Sequence, residues 1–145
     1  MAESSDKVLQ VELVAADRLV WSGQATMVIA RTTEGDVGIL PNHAPLLSSI
    51  IEGVVDVQTV DGETWVAAVD AGFLSVADNR VSILSERAEM SHEIDLEKAR
   101  HDLERAQSSG ENDDAAQEAV RRAEARIRAV ERASCWSCPC CTASP

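Results

Sequence analysis

The chain has 145 residues, 45% of them apolar and 26% charged, with 25 acidic side chains against 13 basic ones and a formal net charge of −12. That length can bury a core without staples, and the negative charge excludes non-specific binding to nucleic acid or to an anionic lipid surface, both of which need a cationic footprint. Nothing after Met1 reads as a signal peptide, and the longest apolar run is a few residues, Trp65 to Val69, so no membrane span is expected.

The composition breaks near residue 88. Residues 1–87 hold 19 Val and Ile, 5 Thr and six of the seven Gly, whereas residues 88–134 hold two Val, two Ile and one Gly. Charge moves the other way, from 18 charged residues in the first 87 to 20 in the next 47. β-Branched residues suit a pleated surface, and Ala, Glu, Arg and Leu suit helices. The expectation is an α+β chain in two segregated parts: an all-β sandwich or flattened barrel over 1–87, then an antiparallel helical hairpin over 88–134.

In chain order, Lys7 to Ala15 puts Leu9, Val11 and Leu13 on one face, with Gln10 and Glu12 on the other. Asp17-Arg18 turns the chain into a second strand, Leu19-Val20-Trp21, ending near Gly23. Ala25 to Thr33 reads as a third strand, and Gly35 to Leu47 as a loop stiffened by two Gly and two Pro. Leu46 to Ile51 is apolar again. Val54–Val60 and Glu63–Asp70 flank Asp61-Gly62, a strong hairpin signal; Phe73–Val76 and Arg80–Ser85 flank Ala77-Asp78-Asn79, a second hairpin. Eight or more short strands at this spacing argue for a sandwich or barrel.

In the second part Leu96, Ala99, Leu103 and Ala106 recur at helical spacing, with Asp95 as N-cap and Ser108-Ser109-Gly110 as the stop. Asp113 and Asp114 offer caps for a second helix, whose seam is Ala116, Val120, Ala123, Ile127 and Val130. Two of those five residues are alanine, as are two of the four on the first helix; alanine buries little area, so the hairpin should pack weakly and be able to detach from its sheet. Glu118 is placed to pair with Arg122, and Glu124 with Arg128, at i,i+4. That leaves Arg121, Arg126 and Arg132 unpaired and available to acidic partners, which the planar guanidinium grips well.

No catalytic constellation is legible. His43 has no nucleophile beside it in sequence, His92 and His101 fall in the helical part, and no phosphate-cradling glycine loop with Lys is present. All four cysteines, Cys135, Cys138, Cys140 and Cys141, lie in the last eleven residues, too crowded for the separated pairs of a zinc site. Residues 135–145 read as a disordered, lineage-specific extension; no metal site is expected.

The segment GDVGILPNHAPLL, from Gly35, followed by VDAGFLSVADNRVSILSERAE, from Val69, resembles the epsilon subunits of bacterial and chloroplast F-type ATP synthases, whose mitochondrial counterpart is called delta. The likeness extends over residues 7 to 134. It implies a non-catalytic subunit of the rotary stalk, peripheral on the cytoplasmic face of the cell membrane and touching the membrane only through its complex. The implied partners are the gamma subunit and the c-ring for the sandwich, and the catalytic alpha/beta head for the hairpin, which can lie folded or extend and restrain ATP hydrolysis. Asp36, His43 and Leu46 are then the interface residues for gamma or the c-ring, and Arg121, Arg122, Arg126, Arg128 and Arg132 the regulatory contacts. Ile94-Asp95-Leu96-Glu97-Lys98-Ala99 is similar to the short ATP-binding signature of some members, with Lys98 where that signature has Arg. An N-cap accounts for Asp95, so a nucleotide site at Asp95 and Lys98 is the lesser reading and no cofactor is expected. The alternative to the stalk subunit is a free-standing β-sandwich binding module dimerising through its helical seam.

Overall fold

Strand β1, Leu9–Ala15, shows the expected alternation: Leu9, Val11, Leu13 and Ala15 are buried while Gln10 and Glu12 face solvent. The computed structural model describes residues 8–108 and 114–136. Within them β1 is followed by β2 (Leu19–Thr32), β3 (Gly35–Ile39), β4 (Leu46–Ile50), β5 (Gly53–Thr59), β6 (Thr64–Val69), β7 (Gly72–Ala77), β8 (Arg80–Ser85) and β9 (Ala88–Met90). A 3-10 turn, Ser91–Glu93, leads to helices α1 (Leu96–Ser108) and α2 (Asp114–Trp136).

Three elements differ from expectation. The second and third strands are one, β2, because Gly23 is not a terminator. It makes room for the Trp21 ring, whose Cζ2 and Cη2 lie 3.0 Å from where a Cβ would stand. Gly35 to Ile39, read as loop, is strand β3, in a hairpin with β2 that starts at the pair Thr32 and Gly35. Gly35 supplies the positive φ, +121°, that this hairpin needs. The sheet also runs beyond residue 87: β9 pairs antiparallel with β6 from Val69–Ala88 to Ala67–Met90. The predicted stop at Ser109-Gly110, the cap at Asp113 and most of the cysteine tail lie outside the described residues; α2 itself continues through Cys135 and Trp136.

Long β2 organises the barrel. Its first half pairs with β1; its second half pairs with β3 on one side and β5 on the other, and Thr32 reaches Ile50 of β4. One layer is therefore β4, β7, β8 and β1, and the other β3, β5, β6 and β9, with β2 common to both. Leu9, Val11, Leu13, Val28, Ile39, Ile50, Val55, Leu74, Val76, Val81 and Ile83 fill the space between them. The β7–β8 turn uses Asp78 and Asn79 at φ 51° and 60°, the left-handed pair of a two-residue hairpin.

The helical seam closes within the chain. Ala99 and Ala106 of α1 and Ala116 and Ala123 of α2 are buried where the two helices pack, which removes the need for pairing between chains. A second stripe on α2, missed in sequence, is Ala125, Ala129 and Ala133. Ala129 and Ala133 pack on Val54, Val66 and Ala68 of β5 and β6.

A Cβ on Gly72 would run into the Leu84 carbonyl oxygen of the neighbouring β8 backbone, whereas one on Gly38 would meet nothing within 4 Å. Gly72→Ala should therefore lower stability by about 3 kcal/mol or prevent folding, and Gly38→Ala should change it by less than about 0.5 kcal/mol, in thermal or urea unfolding.

Candidate functional site: the helix–sheet interface and the exposed strand faces

The outward face of β5 and β6 carries Val54, Asp56, Val66, Ala68 and, just past β6, Asp70; all five are buried, Asp56 to 2% and Asp70 to 6% exposure. What covers them is α2. Arg122 Nε donates to Asp70 Oδ2 at 2.8 Å, and Arg132 Nη1 lies 2.9 Å from Asp56 Oδ2. Arg121 reaches Glu52 at 3.4 Å, and Arg126 reaches Glu89 of β9 at 2.8 Å and Asp102 of α1 at 3.8 Å. Only Arg122 also makes an expected helical pair, with Glu118 at 2.7 Å.

Apart from the Glu118–Arg122 pair, the arginine pattern differs from the expected one. Arg121, Arg126 and Arg132, read as unpaired, each bind a carboxylate of the β part. The expected Glu124–Arg128 pair does not form among the described residues, and Arg128 instead lines a cleft with Arg31, Asp36, Val54, Glu131 and Arg132. Spacing along one helix could not show this, because the competing carboxylates sit 37 to 76 residues away in sequence. The hairpin's hold is likewise not only the weak alanine contact expected: four arginines tie it to the sheet.

Burial pushes the Asp56 carboxyl above the usual range; Arg132 opposes this and nearby Asp36 reinforces it. Asp70 is raised for the same first reason, with Arg122 the main opposing charge. At the start of the hairpin, Arg18 clasps Glu93 at 3.0 Å, which lowers that carboxyl and ties the β1–β2 turn to the 3-10 turn.

The structure does not bring the three expected interface residues together. Asp36 starts β3 beside the arginine cleft, while His43 lies past the other end of that strand, roughly 10 Å or more along at a strand's rise. His43 is held locally, its amide donating to the Leu40 carbonyl and Nδ1 lying 2.7 Å from the Ala44 carbonyl. Its loop is pinned to the β7–β8 turn by reciprocal Asn42–Asn79 hydrogen bonds. Leu46 packs half-buried against the main core, and strand alternation turns Leu47 outward instead, 75% exposed.

Asp95 caps α1, its Oδ1 accepting from the amides of Glu97 and Lys98 at 3.1 and 3.3 Å. Neither Asp95 nor Lys98 lines the cleft between the helices, where Arg87, Arg105, Arg122 and Arg126 gather around Asp102. Among the described residues no group of three or more His, Cys, Asp or Glu could hold a metal ion, and no helix is long and apolar enough to cross a membrane.

A second surface was not anticipated. Cross-strand partners share a face, and register aligns Phe73 with Leu84, Leu84 with Val14, and Val14 with Leu19. Phe73, Leu84 and Leu19 are each more than half exposed, and Leu47 lies diagonal to Phe73 on β4. This apolar row crosses β7, β8, β1 and β2 on the layer that the hairpin leaves uncovered. The signal was available in the strands: Leu84 and Phe73 break an otherwise polar outward alternation.

A sandwich of this topology carrying an arginine-rich helical hairpin belongs to the ATP synthase delta/epsilon chain family: the model of its beta-sandwich domain matches residues 8–91, more than half of the chain. Beyond that domain, the chain is 57% identical over 122 residues to the ATP synthase epsilon chain of Streptomyces avermitilis, covering 84% of this chain and 94% of that one. With the ATP synthase epsilon chain of Nocardia farcinica it shares 47% identity over 133 residues, covering 91% and 97%. The fold is similar to a chain in the cryo-EM structure of the Euglena gracilis mitochondrial ATP synthase OSCP/F1/c-ring, with TM-score 0.72 and 25% identity over 88% of this chain and 82% of that one. Membership makes the chain a non-catalytic subunit of the F-type ATP synthase, a membrane-associated complex.

Arg122→Ala strips the buried Asp70 of its main cation and should destabilise the docked hairpin by roughly 3 kcal/mol. Arg121→Ala removes a longer pair whose arginine is half exposed, and should cost under about 1 kcal/mol. Hydrogen exchange across α2 ranks the two.

Proposed function

We propose that this chain works in the central stalk of the ATP synthase at the cytoplasmic face of the membrane. There its β part is held against the gamma subunit and the c-ring, and its hairpin restrains ATP hydrolysis at the alpha/beta head. The observation that carries this reading is the division of the sandwich into two outer faces. One is covered by a helical hairpin held through ion pairs; the other exposes the apolar row of Leu47, Phe73, Leu84, Val14 and Leu19. A face of that kind suits a lasting subunit contact, and ion pairs suit a contact that is made and broken.

The row is the surface we assign to gamma. The loop around Leu40, Asn42 and His43, stiffened by Pro41 and Pro45 and pinned to Asn79, is assigned to the c-ring end, with His43 retained from the sequence reading. Asp36, beside the arginine cleft, belongs instead with the hairpin contact. Arg121, Arg122, Arg126 and Arg132 serve both hairpin positions: bound to the sheet they satisfy its carboxylates, and released they are free for acidic groups of the head.

Two experiments test these assignments. Phe73→Asp with Leu84→Asp should leave the chain folded by circular dichroism yet reduce co-purification with gamma at least tenfold; unchanged co-purification removes the row from the interface. Truncation after Met90 keeps β9 and discards the hairpin. The truncated chain should fold, assemble, and raise the ATP hydrolysis rate of the complex while proton-coupled synthesis persists. Hydrolysis left unchanged in a normally assembled complex would remove the inhibitory role.

A further inference from the structure

Asp56 presents an oxygen that no contact satisfies. Its side chain is 3% exposed; Oδ2 meets Arg132, while Oδ1 is buried with no hydrogen-bond partner among the described residues. Asp56 points out of the sandwich alongside Val54 and opposite Val66, on the strip that Ala129 of α2 seals. A carboxylate with one orphaned oxygen in such a place is strained as an anion, since an unpaired buried charge is far costlier than a neutral acid.

We propose that Asp56 is a proton-operated catch for the helical hairpin: a proton on its unpartnered oxygen holds α2 down on β5 and β6, and loss of that proton primes α2 to leave. Protonation at Oδ1 removes the buried charge yet leaves Oδ2 able to accept from Arg132. A cleft of about 490 Å³ opens beside Arg132, the residue that contacts Asp56.

The charged groups around Asp56 come from three elements. Arg132 of α2 contacts it, Arg128 and Glu131 of α2 line the adjoining cleft, and Asp36 of β3 and Arg31 of β2 close the cleft from the sheet side. Three cations and two further acids leave the neighbourhood nearly balanced, so burial decides the direction, and burial raises the carboxyl. With α2 lifted away, the same strand face meets water and Asp56 returns to the ordinary range. The docked chain therefore holds the proton more tightly than the released one. Docking is strongest below the released-state pKa and weakens as pH rises through the docked-state pKa. Asp70, also raised by burial, adds a slope of the same sign. Lower pH closes the catch and higher pH loosens it, whichever complex the chain joins.

The test uses the full chain with the four tail cysteines changed to serine and spin labels at Glu63→Cys and Glu124→Cys, both exposed positions on the two sides of the interface. The ratio of short to long label distances should fall as pH is raised from about 4, the ordinary aspartate range, to neutrality, by up to about tenfold for each unit separating the docked and released pKa values. Asp56→Asn should keep the short distance across the range with a shallower slope, and Asp56→Asn with Asp70→Asn should be flat. Independently, the carbon-13 shift of the Asp56 carboxyl should titrate above the ordinary aspartate range. The proposal is overturned by a carboxyl that titrates at or below that range, or by an Asp56→Asn chain with the wild-type slope. A hairpin released by Asp56→Asn at pH 5 would overturn it as well, since the ion pair with Arg132 would then be what holds α2.

Discussion

A carboxylate set among valines and alanines must be either neutralised or reached by a cation, and in this chain that constraint governs how the two parts meet. Asp56, on β5, and Asp70, just past β6, face outward beside Val54, Val66 and Ala68, so the strip is neither a good core face nor a good solvent face by itself. Helix α2 resolves it by combining small residues, which let the helix axis come close, with arginines long enough to reach around them. The spacing agrees: from Arg121 to Arg132 a helix advances roughly 16 Å, and from Glu52 to Asp56 a strand advances roughly 13 Å, so the two run side by side. Helix α1, by contrast, is held mainly through α2 and through the Arg126 bridge to Asp102.

Much of the fold could be read from the residues because strands and helices announce themselves by different periods. β8 falls where Arg80–Ser85 predicted it, and β1 alternates as Leu9, Val11 and Leu13 required. What could not be read were features decided by non-local partners. Gly23 looks like a punctuator until the Trp21 ring is seen beside it, and the β3 pairing that recruits Gly35-Asp36 is a hairpin of β2 rather than a local preference. The candidate site fared less well than the fold for the same reason. Helical spacing correctly joined Glu118 to Arg122 but wrongly left Arg121, Arg126 and Arg132 alone, since their carboxylates arrive only when β5, β6 and β9 stand in register. Leu46 and Leu47 are interchangeable in a sequence and opposite in a strand.

The two outer faces of the sandwich have different physical characters, one apolar and open, the other covered by a helical hairpin held through ion pairs. Apolar contact across Phe73, Leu84 and Leu19 is little affected by salt, so a partner bound there stays. Guanidinium–carboxylate contact on the other face is tuned by ionic strength, and the longer pair of half-exposed Arg121 with Glu52 feels it more than that of Arg122 with Asp70. The packed interior of Val28, Val55, Leu74 and Ile83 stands between the two faces.

Strand β2 bears on how such a subunit would behave under twist. Its 14 residues belong first to one layer and then to the other, so the layers are joined by continuous peptide and by backbone hydrogen bonds on both edges as well as by side-chain packing. Close-packed side chains already transmit strain between the layers, and a shared covalent strand adds resistance to shear along its own length. Torque entering through the β1, β7 and β8 side would reach β5 and β6 with little angular lag, which suits a body that must turn as one piece.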